Sequence, residues 1–247
     1  MDRALYLAMT GGTQVMNAQG IHANNLANVA TTGFRADFEQ ARSMQVNGEH
    51  YPSRVYAMTE NQGTRFEVGA LQQTGREMDI AVQGGGFIAT LDGTGREVYT
   101  RAGDLQLTAA GQLVTGTGLP VLGLEGPIFL PPLDSLDISE DGMISIIPRG
   151  GDGSQVTALN RLKLVSAEPE QLRKDPDGLL RTRTGEILPQ DNSIIVLSGF
   201  LESSNVNAVE EMTHIMELAR RFEMNIKVMD TVRTNEDASA RILQRNS

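Results

Sequence analysis

The chain has 247 residues, of which 40% are hydrophobic and 21% are charged, so it is too apolar to be disordered throughout and long enough for one large domain or two small ones. A formal net charge of -10 argues against a nucleic-acid partner, because the phosphate backbone would be repelled on average. The absence of cysteine excludes disulfides, thiolate metal sites and a cysteine nucleophile.

The first 33 residues have the spacing of a helix. One stripe of small, apolar and polar residues repeats at intervals that alternate between three and four residues: Leu5, Ala8, Gly12, Val15, Gln19, His22, Leu26 and Val29. A second stripe of Met9, Met16, Ala23 and Ala30 lies on another side. Because a single neighbour cannot cover both sides, we expect this helix to contact other subunits as well as the rest of its own chain.

The C-terminal segment has a more regular helical pattern. Its stripe consists of Ala208, Met212, Ile215, Ala219, Phe222, Ile226 and Met229. Asn207 is a suitable N-cap, because its side-chain oxygen can accept from a free amide of the first turn. Isolated helices are marginal in water, so we expect the two terminal helices to pack on each other, with a solvated end beyond Met229.

Between the helices, short β-type runs alternate with turn residues. Asp-Gly pairs at 92–93, 141–142 and 177–178 are typical of tight hairpin turns. The predicted strands are 78–82, 87–91, 97–101, 105–108, 143–147, 161–165 and 193–197. This texture predicts a β-rich middle, preceded by a polar, glycine-containing connector.

Motifs of catalysis are absent from the sequence. There is no phosphate-binding P-loop, no zinc-binding H-E-x-x-H and no G-x-S-x-G nucleophile elbow. Gly84-Gly85-Gly86 leads into a predicted strand instead of a helix, which favours a tight bend with close backbone approach over a phosphate site. We expect His22 and His214 to pack in helix contacts. The acidic pairs 140–141 and 210–211 are expected to stabilise a turn and a helix start locally, or to be solvated. Methionines 212, 216, 224 and 229 suit a core and an adaptable interface equally.

Residues 23–34, Ala-Asn-Asn-Leu-Ala-Asn-Val-Ala-Thr-Thr-Gly-Phe, followed by Arg35, closely resemble the N-terminal signature of bacterial flagellar rod and hook proteins. Segments 79–87, 99–104 and 111–114 resemble the β domain of that family, and segment 201–212 resembles the start of its C-terminal helix. Both ends and the middle of the chain therefore match one family.

The resemblance implies a mixed α and β fold in which the N- and C-terminal helices pair as a coiled-coil assembly domain and a β-rich domain is inserted between them. We expect residues 1–33 and 204–247 to form the helical domain, 34–76 an extended connector, and 77–203 the outer β-rich domain. The implied function is that of a structural subunit of the flagellar rod, which transmits torque, with no active site, cofactor or metal.

The resemblance also implies the partners and the location. The expected partners are other copies of the chain, neighbouring rod proteins such as FlgB, FlgC and FlgG, and the flagellar type III export apparatus, without nucleic acid or membrane insertion. The expected location is the basal-body rod within the periplasm, reached without a cleavable signal peptide. The first six residues, 160–165 and 220–224 are most similar to the proximal rod protein of the family.

Two alternatives remain at this point. One is the distal rod protein of the same family. The other is a secreted domain that binds or hydrolyses cell-wall carbohydrate, against which stands the scarcity of sugar-stacking side chains: aromatic residues make up 4% of the chain and tryptophan is absent.

The residues we expect at the assembly interface combine helix-stripe positions with asparagines that can bridge neighbouring backbones, and with Gly33 and Phe34, where the chain leaves the first helix. They are Leu5, Val15, Asn24, Asn25, Leu26, Asn28, Gly33, Phe34, Asn205, Asn207, Met212, Ile215, Ala219, Phe222 and Ile226.

Overall fold

A computed structural model describes residues 2–45, 55–149 and 156–245. Met1, residues 46–54 of the predicted connector, residues 150–155 and residues 246–247 lie outside the described part. The chain begins with helix α1 (Asp2–Ala27) and ends with helix α2 (Ala208–Arg245), and strands fill the sequence between them. The prediction of two terminal helices and a strand-rich middle is confirmed.

Eighteen short strands lie between the helices in the described residues. They are β1 (Asp37–Gln45), β2 (Val55–Thr64), β3 (Leu71–Gln73), β4 (Ile80–Val82), β5 (Gly86–Leu91), β6 (Glu97–Thr100), β7 (Leu105–Leu107), β8 (Leu113–Thr115), β9 (Leu122–Gly123), β10 (Gly126–Pro127), β11 (Leu133–Ile138), β12 (Met143–Pro148), β13 (Thr157–Arg161), β14 (Leu164–Ser166), β15 (Leu172–Lys174), β16 (Leu180–Thr182), β17 (Val196–Ser198) and β18 (Phe200–Glu202). A 3-10 turn, Pro169–Gln171, precedes β15.

The chain divides into two compact units. Unit 1 comprises residues 1–27, 37–63 and 207–247, and therefore holds both helices, β1 and most of β2. Unit 2 comprises residues 28–36 and 64–206. The limits proposed from sequence, at residues 33, 76 and 203, stay a prediction.

Unit 2 is built on antiparallel strand pairs. Its largest sheet has the order β14-β5-β6-β16-β15, a second sheet has the order β11-β12-β13, and β3-β18, β4-β17, β7-β8 and β9-β10 form separate pairs. The Asp-Gly turns suit this arrangement, since Gly142 and Gly178 adopt φ values of 78° and 81°. In the first turn, Gly95 takes the positive φ in place of Gly93.

Strand β5 shows how unit 2 is packed. Successive side chains of a strand point to opposite faces, and here both faces are covered. Ile88 belongs to one buried cluster, with Leu113 and Ile144, whereas Phe87 and Ala89 belong to a second cluster around Tyr99. The unit therefore holds two apolar cores on either side of one strand.

Several element limits differ from the sequence pattern; the predicted strand 193–197, for example, overlaps β17 (Val196–Ser198) by only two residues. Helix α1 ends at Ala27, because the chain turns at Asn28, whose carbonyl accepts from the amide of Thr31 at 3.1 Å and whose side chain accepts from the Thr31 hydroxyl. The predicted strand 161–165 is split between β13 and β14. In the turn that follows α1, Gly33 adopts a φ of 65°.

Candidate assembly interface

The two helices of unit 1 contact each other in antiparallel directions. A Cβ atom placed on Gly12 would lie 3.8 Å from the ring of Phe222, and one placed on Gly11 would lie 3.5 Å from the side-chain oxygen of Asn225. At the other end of α1, His22 contacts Glu211 and His214. The glycines of α1 therefore lie against the middle of α2, where their small size permits close approach.

A polar cluster joins the helices near the end of α1. His22 Nδ1 lies 2.5 Å from Glu211 Oε2, and the His22 and His214 rings stack with centroids 4.9 Å apart. The prediction that both histidines pack in helix contacts is confirmed. The expectation that the acidic pair 210–211 acts locally or is solvated is wrong for Glu211, which is buried and whose partners lie nearly two hundred residues away in the sequence.

Asn25 is at the centre of this cluster and is almost fully buried. Its amide nitrogen donates to the carbonyl of Asp37 at 2.8 Å and to Glu211 Oε1 at 3.1 Å, while its oxygen accepts from the amide of Asp37 at 2.9 Å. One side chain thereby connects α1, β1 and α2 within the same chain. Asn24 is exposed and Asn28 is half-buried.

The predicted helix-packing residues fall into two groups. Five are half-buried: Val15, Leu26, Ile215, Ala219 and Phe222. Three are exposed, namely Leu5 (38%), Met212 (52%) and Ile226 (40%). The second group is therefore less covered within the chain than the first.

Asn207 is the N-cap of α2, as predicted. Its side-chain oxygen accepts from the amides of Val209 at 3.1 Å and Glu210 at 3.4 Å. Among the methionines of α2 whose role was left open, 212, 216 and 224 are exposed and 229 is half-buried. The first three therefore do not fill a core within this chain.

The remaining predicted residues, Gly33, Phe34 and Asn205, belong to unit 2. The amide of Gly33 donates to the carbonyl of Glu202 at 2.8 Å, and the ring of Phe34 is buried beneath Lys174 Nζ at 3.7 Å. Asn205 accepts from the amide of Ala36 at 2.7 Å and donates to two carbonyls of the segment 65–67. These bonds fix the backbone on both sides of the turn at Gly33.

A buried ionic cluster in the same unit was missed by the sequence analysis. Glu202 is fully buried, with Oε1 2.5 Å from Arg35 Nη1 and Oε2 2.9 Å from Arg101 Nη1. The amide of Gly69 also donates to Glu202, and Arg101 donates to the carbonyls of Val82 and Gly84. Burial lowers the pKa of Arg101, and the Glu202 carboxylate opposes that shift. Arg35 and Glu202 both lie in or beside family-like motifs, and this position was the signal in the sequence that could have indicated a structural role for them.

The glycine run 84–86 has the geometry of a bend. Gly84 adopts a φ of 79°, and a Cβ on Gly86 would lie 2.7 Å from the Ile194 side chain. This agrees with close backbone approach. In the described ranges no three histidine or carboxylate side chains are grouped to hold a metal ion, and neither helix is both long and apolar enough to cross a membrane.

Comparison with known proteins gives matches along the chain. The model of the flagellar basal body rod FlgEFG protein C-terminal region matches residues 197–242, and that of the flagellar hook protein FlgE/F/G D1 domain matches residues 81–146. The flagellar basal-body rod protein FlgF of Salmonella typhimurium is 39% identical over 98% of this chain and 99% of its own length. The chain belongs to the flagellar basal-body rod protein family.

Two further relatives bear on its place in that family. FlgF of Escherichia coli K12 is 38% identical over 98% of this chain and 99% of its own length. The basal-body rod protein FlgG of Bacillus subtilis is 32% identical over 94% of this chain and 95% of its own length. The chain is thus a structural flagellar rod subunit that is more similar to these FlgF proteins than to this FlgG, and the resemblance read from the motifs is confirmed.

Proposed function

We propose that this rod protein is a subunit of the proximal rod and that it polymerises through unit 1, with α1 and α2 paired as a coiled coil. The observation that carries the proposal is the lack of a closed core in unit 1. Among its described residues, Ala8 is the one apolar side chain that is more than nine-tenths buried. Helices gain most of their stability from packing, so this unit needs burial from neighbouring molecules.

The lengths of the helices support the same proposal. Helix α1 has 26 residues and α2 has 38. In an antiparallel pair, the nine steps from Gly11 back to Asp2 correspond to the nine steps from Asn225 on to Thr234. The end of α2 therefore extends past the start of α1, and a helix of a few turns is marginal in water without a partner. A neighbouring subunit would supply that partner.

We further propose which predicted residues act between subunits. Leu5, Met212 and Ile226 are exposed and are assigned to contacts with neighbours. The half-buried residues, such as Val15 and Phe222, are assigned to the pairing of α1 with α2. A filament requires that one face of a subunit meets a different face of the next, and two helices exposed on several sides provide such faces.

In this proposal the partners are further copies of the chain, neighbouring rod proteins such as FlgB, FlgC and FlgG, and the flagellar type III export apparatus. The location is the rod within the periplasm, reached without a cleavable signal peptide. The chain has no catalytic role, does not bind nucleic acid and does not insert into a membrane. Close helix packing supports torque transmission, because tightly packed interiors are stiff.

The decisive experiment replaces Ile226 with Asp. Burying an unpaired charge between subunits costs several kcal/mol, so we expect a non-motile strain in which the purified variant keeps wild-type helicity. The control is Thr231→Asp, which adds the same charge on another side of α2 at an exposed position. Normal motility of the Ile226→Asp strain contradicts assembly through this surface.

The distal rod protein FlgG is the alternative within the family, supported by the similarity to FlgG of Bacillus subtilis. Expression of the chain in Salmonella strains that lack either FlgF or FlgG separates the two. We expect restored motility in the strain without FlgF only. Restoration in the strain without FlgG alone assigns the chain to the distal rod instead.

A second experiment asks when the helices become ordered. If their packing depends on assembly, mild protease treatment of the dilute protein removes both ends early and leaves a resistant fragment of about residues 35–200. Full protection of both ends at low concentration contradicts that dependence, and would mean that α1 and α2 are stable as a pair within one chain.

A further inference from the structure

The exposed methionines of the described residues are confined to unit 1. Each of them is between 45% and 59% exposed: Met9 and Met16 on α1, Met44 on β1, Met58 on β2, and Met212, Met216 and Met224 on α2. In unit 2, Met78 packs against the larger apolar cluster and Met143 is half-buried on β12. The methionine side chains of unit 1 are therefore more exposed than those of unit 2.

Accessible thioethers have a defined chemistry with peroxides. The sulfur lone pair attacks one oxygen of hydrogen peroxide, an S–O bond forms and the O–O bond breaks. The displaced hydroxide takes the proton from the oxygen that is now bound to sulfur and leaves as water, so the sulfur is oxidised by two electrons while the peroxide is reduced. Methionine sulfoxide is polar, and methionine sulfoxide reductases return it to methionine. The chain has no cysteine to react first.

We propose that the exposed methionines of unit 1 are a site of reversible oxidation by hydrogen peroxide, and that their oxidation prevents the helices from being buried in an assembly. The second half of this proposal rests on the proposed function. Burial of the sulfoxide oxygen without a hydrogen-bond donor is unfavourable, whereas the unmodified side chain is apolar and adapts to irregular surfaces. Five of the exposed methionines lie on α1 and α2, so oxidation would add polar oxygen atoms along both helices.

Unit 2 keeps its fold under the same treatment. Its two apolar clusters hold no exposed methionine, so peroxide has little access to their packing. Oxidation therefore acts on subunits before assembly and leaves the β-rich unit intact. Methionines that an assembly has buried are protected, because sulfoxide formation follows exposure.

The site is tested by peptide mapping of the full chain during exposure to hydrogen peroxide. We expect sulfoxide at positions 9, 16, 44, 58, 212, 216 and 224 while Met78 remains largely unmodified. Equal rates at Met78 and at the seven exposed positions overturn the assignment of the site, whatever the protein does in assembly.

The effect on assembly is tested by sedimentation velocity at rising protein concentration. We expect the untreated protein to sediment faster as concentration rises, and the peroxide-treated protein to lose this shift and regain it after incubation with methionine sulfoxide reductases. A five-leucine variant replaces the exposed methionines of the two helices, Met9, Met16, Met212, Met216 and Met224, with leucine. Its helix surfaces stay apolar and cannot be oxidised at these positions, so we expect it to associate after peroxide treatment.

The matched control is Met78→Leu with Met143→Leu, which we expect to lose association as the wild type does. If the five-leucine variant loses association equally, or if treated wild type keeps it, the proposal is overturned. If the untreated wild type does not associate with itself, both the proposed self-assembly and the proposed effect of oxidation on assembly are overturned. The peptide map still decides whether the exposed methionines are the site of oxidation.

Discussion

The two compact units bury their apolar residues by different means. Unit 2 closes around two clusters, one on each side of β5, in which Ile80, Ile88, Leu113 and Ile144 have no measurable exposure. Unit 1 buries little beyond Ala8 among its apolar side chains and leaves others, such as Val209 and Met216, more than half exposed. A β-rich unit that completes its own core is thus joined to a helical unit that does not.

The same difference extends to polar groups. In unit 2, the carboxylate of Glu202 lies between two buried guanidinium groups, where it compensates charge that no solvent reaches. In unit 1, Glu211 is buried beside His22 and Asn25 at one end of the helix pair. Buried polar bonds in unit 1 therefore fix one end of the helix pair.

Removal of the central carboxylate of unit 2 should have the largest effect on stability. Glu202→Ala leaves Arg35 and Arg101 buried without a counter-charge, which costs about 3–5 kcal/mol. We expect a large drop in Tm measured by circular dichroism. Glu125→Ala, at an exposed position, is the control and should change stability by no more than about 0.5 kcal/mol. Equal Tm values for the two variants would contradict a stabilising role for the cluster.

The same substitution in both units tests the comparison directly. Ile144→Ala in the core of unit 2 should lower the free energy of unfolding by about 2–5 kcal/mol. Ile226→Ala on α2 should lower it by clearly less than Ile144→Ala in the isolated chain, because the side chain is 40% exposed. Chemical denaturation measures both. A large loss for Ile226→Ala would mean that its contacts lie within the chain.

The sequence predicted the helices and strands of each unit better than the residues that these elements contact. The helical spacing and the N-cap at Asn207 are local properties, so they could be read directly from the residues. The end of α1 was placed six residues late, because the apolar stripe continues through Val29 while the side chain of Asn28 bonds locally and turns the chain. Periodicity alone does not report that competition.

The polar clusters could not be predicted, because they join distant parts of the sequence. Arg35, Arg101 and Glu202 come from three separate segments, and although each lies in or beside a family-like motif, hydrophobic periodicity does not indicate that they are buried together. The helix stripes raise a related difficulty. Spacing identified Phe222 and Ile226 as members of one stripe, but only the pairing register distinguishes the half-buried from the exposed member.

The turn that follows α1 allows a backbone test of smaller expected effect. Gly33 has a φ of 65°, and a Cβ there would lie 2.3 Å from the backbone of Arg101. Gly33→Ala should cost about 1–3 kcal/mol from backbone strain. Gly85→Ala is the control, since nothing lies within 4 Å of a Cβ at that position. Comparable unfolding midpoints would indicate that the turn relaxes without cost.

The last expected effect is confined to alkaline pH and is a loss of stability through Tyr99, which packs in the second cluster of unit 2. Burial, aided by the nearby charge of Glu97, raises the pKa of Tyr99 from 10.0 to about 12. The folded protein thus favours the protonated phenol, and the hydrogen bond that its oxygen accepts from the amide of Leu188 at 2.9 Å opposes part of this shift of the pKa. Above pH 10 the unfolded chain ionises first, so stability should fall as the pH rises toward 12.

Tyr99→Phe isolates that contribution, because it removes the ionisable group and keeps the ring in the cluster. We expect the wild type to lose more stability than the variant between pH 10 and 12, measured by urea unfolding at each pH. The absorbance of tyrosinate provides an independent measure of the same ionisation. Parallel losses in the two proteins would mean that Tyr99 ionises as easily in the folded state as in the unfolded chain, and that this side of the unit 2 core is open to water.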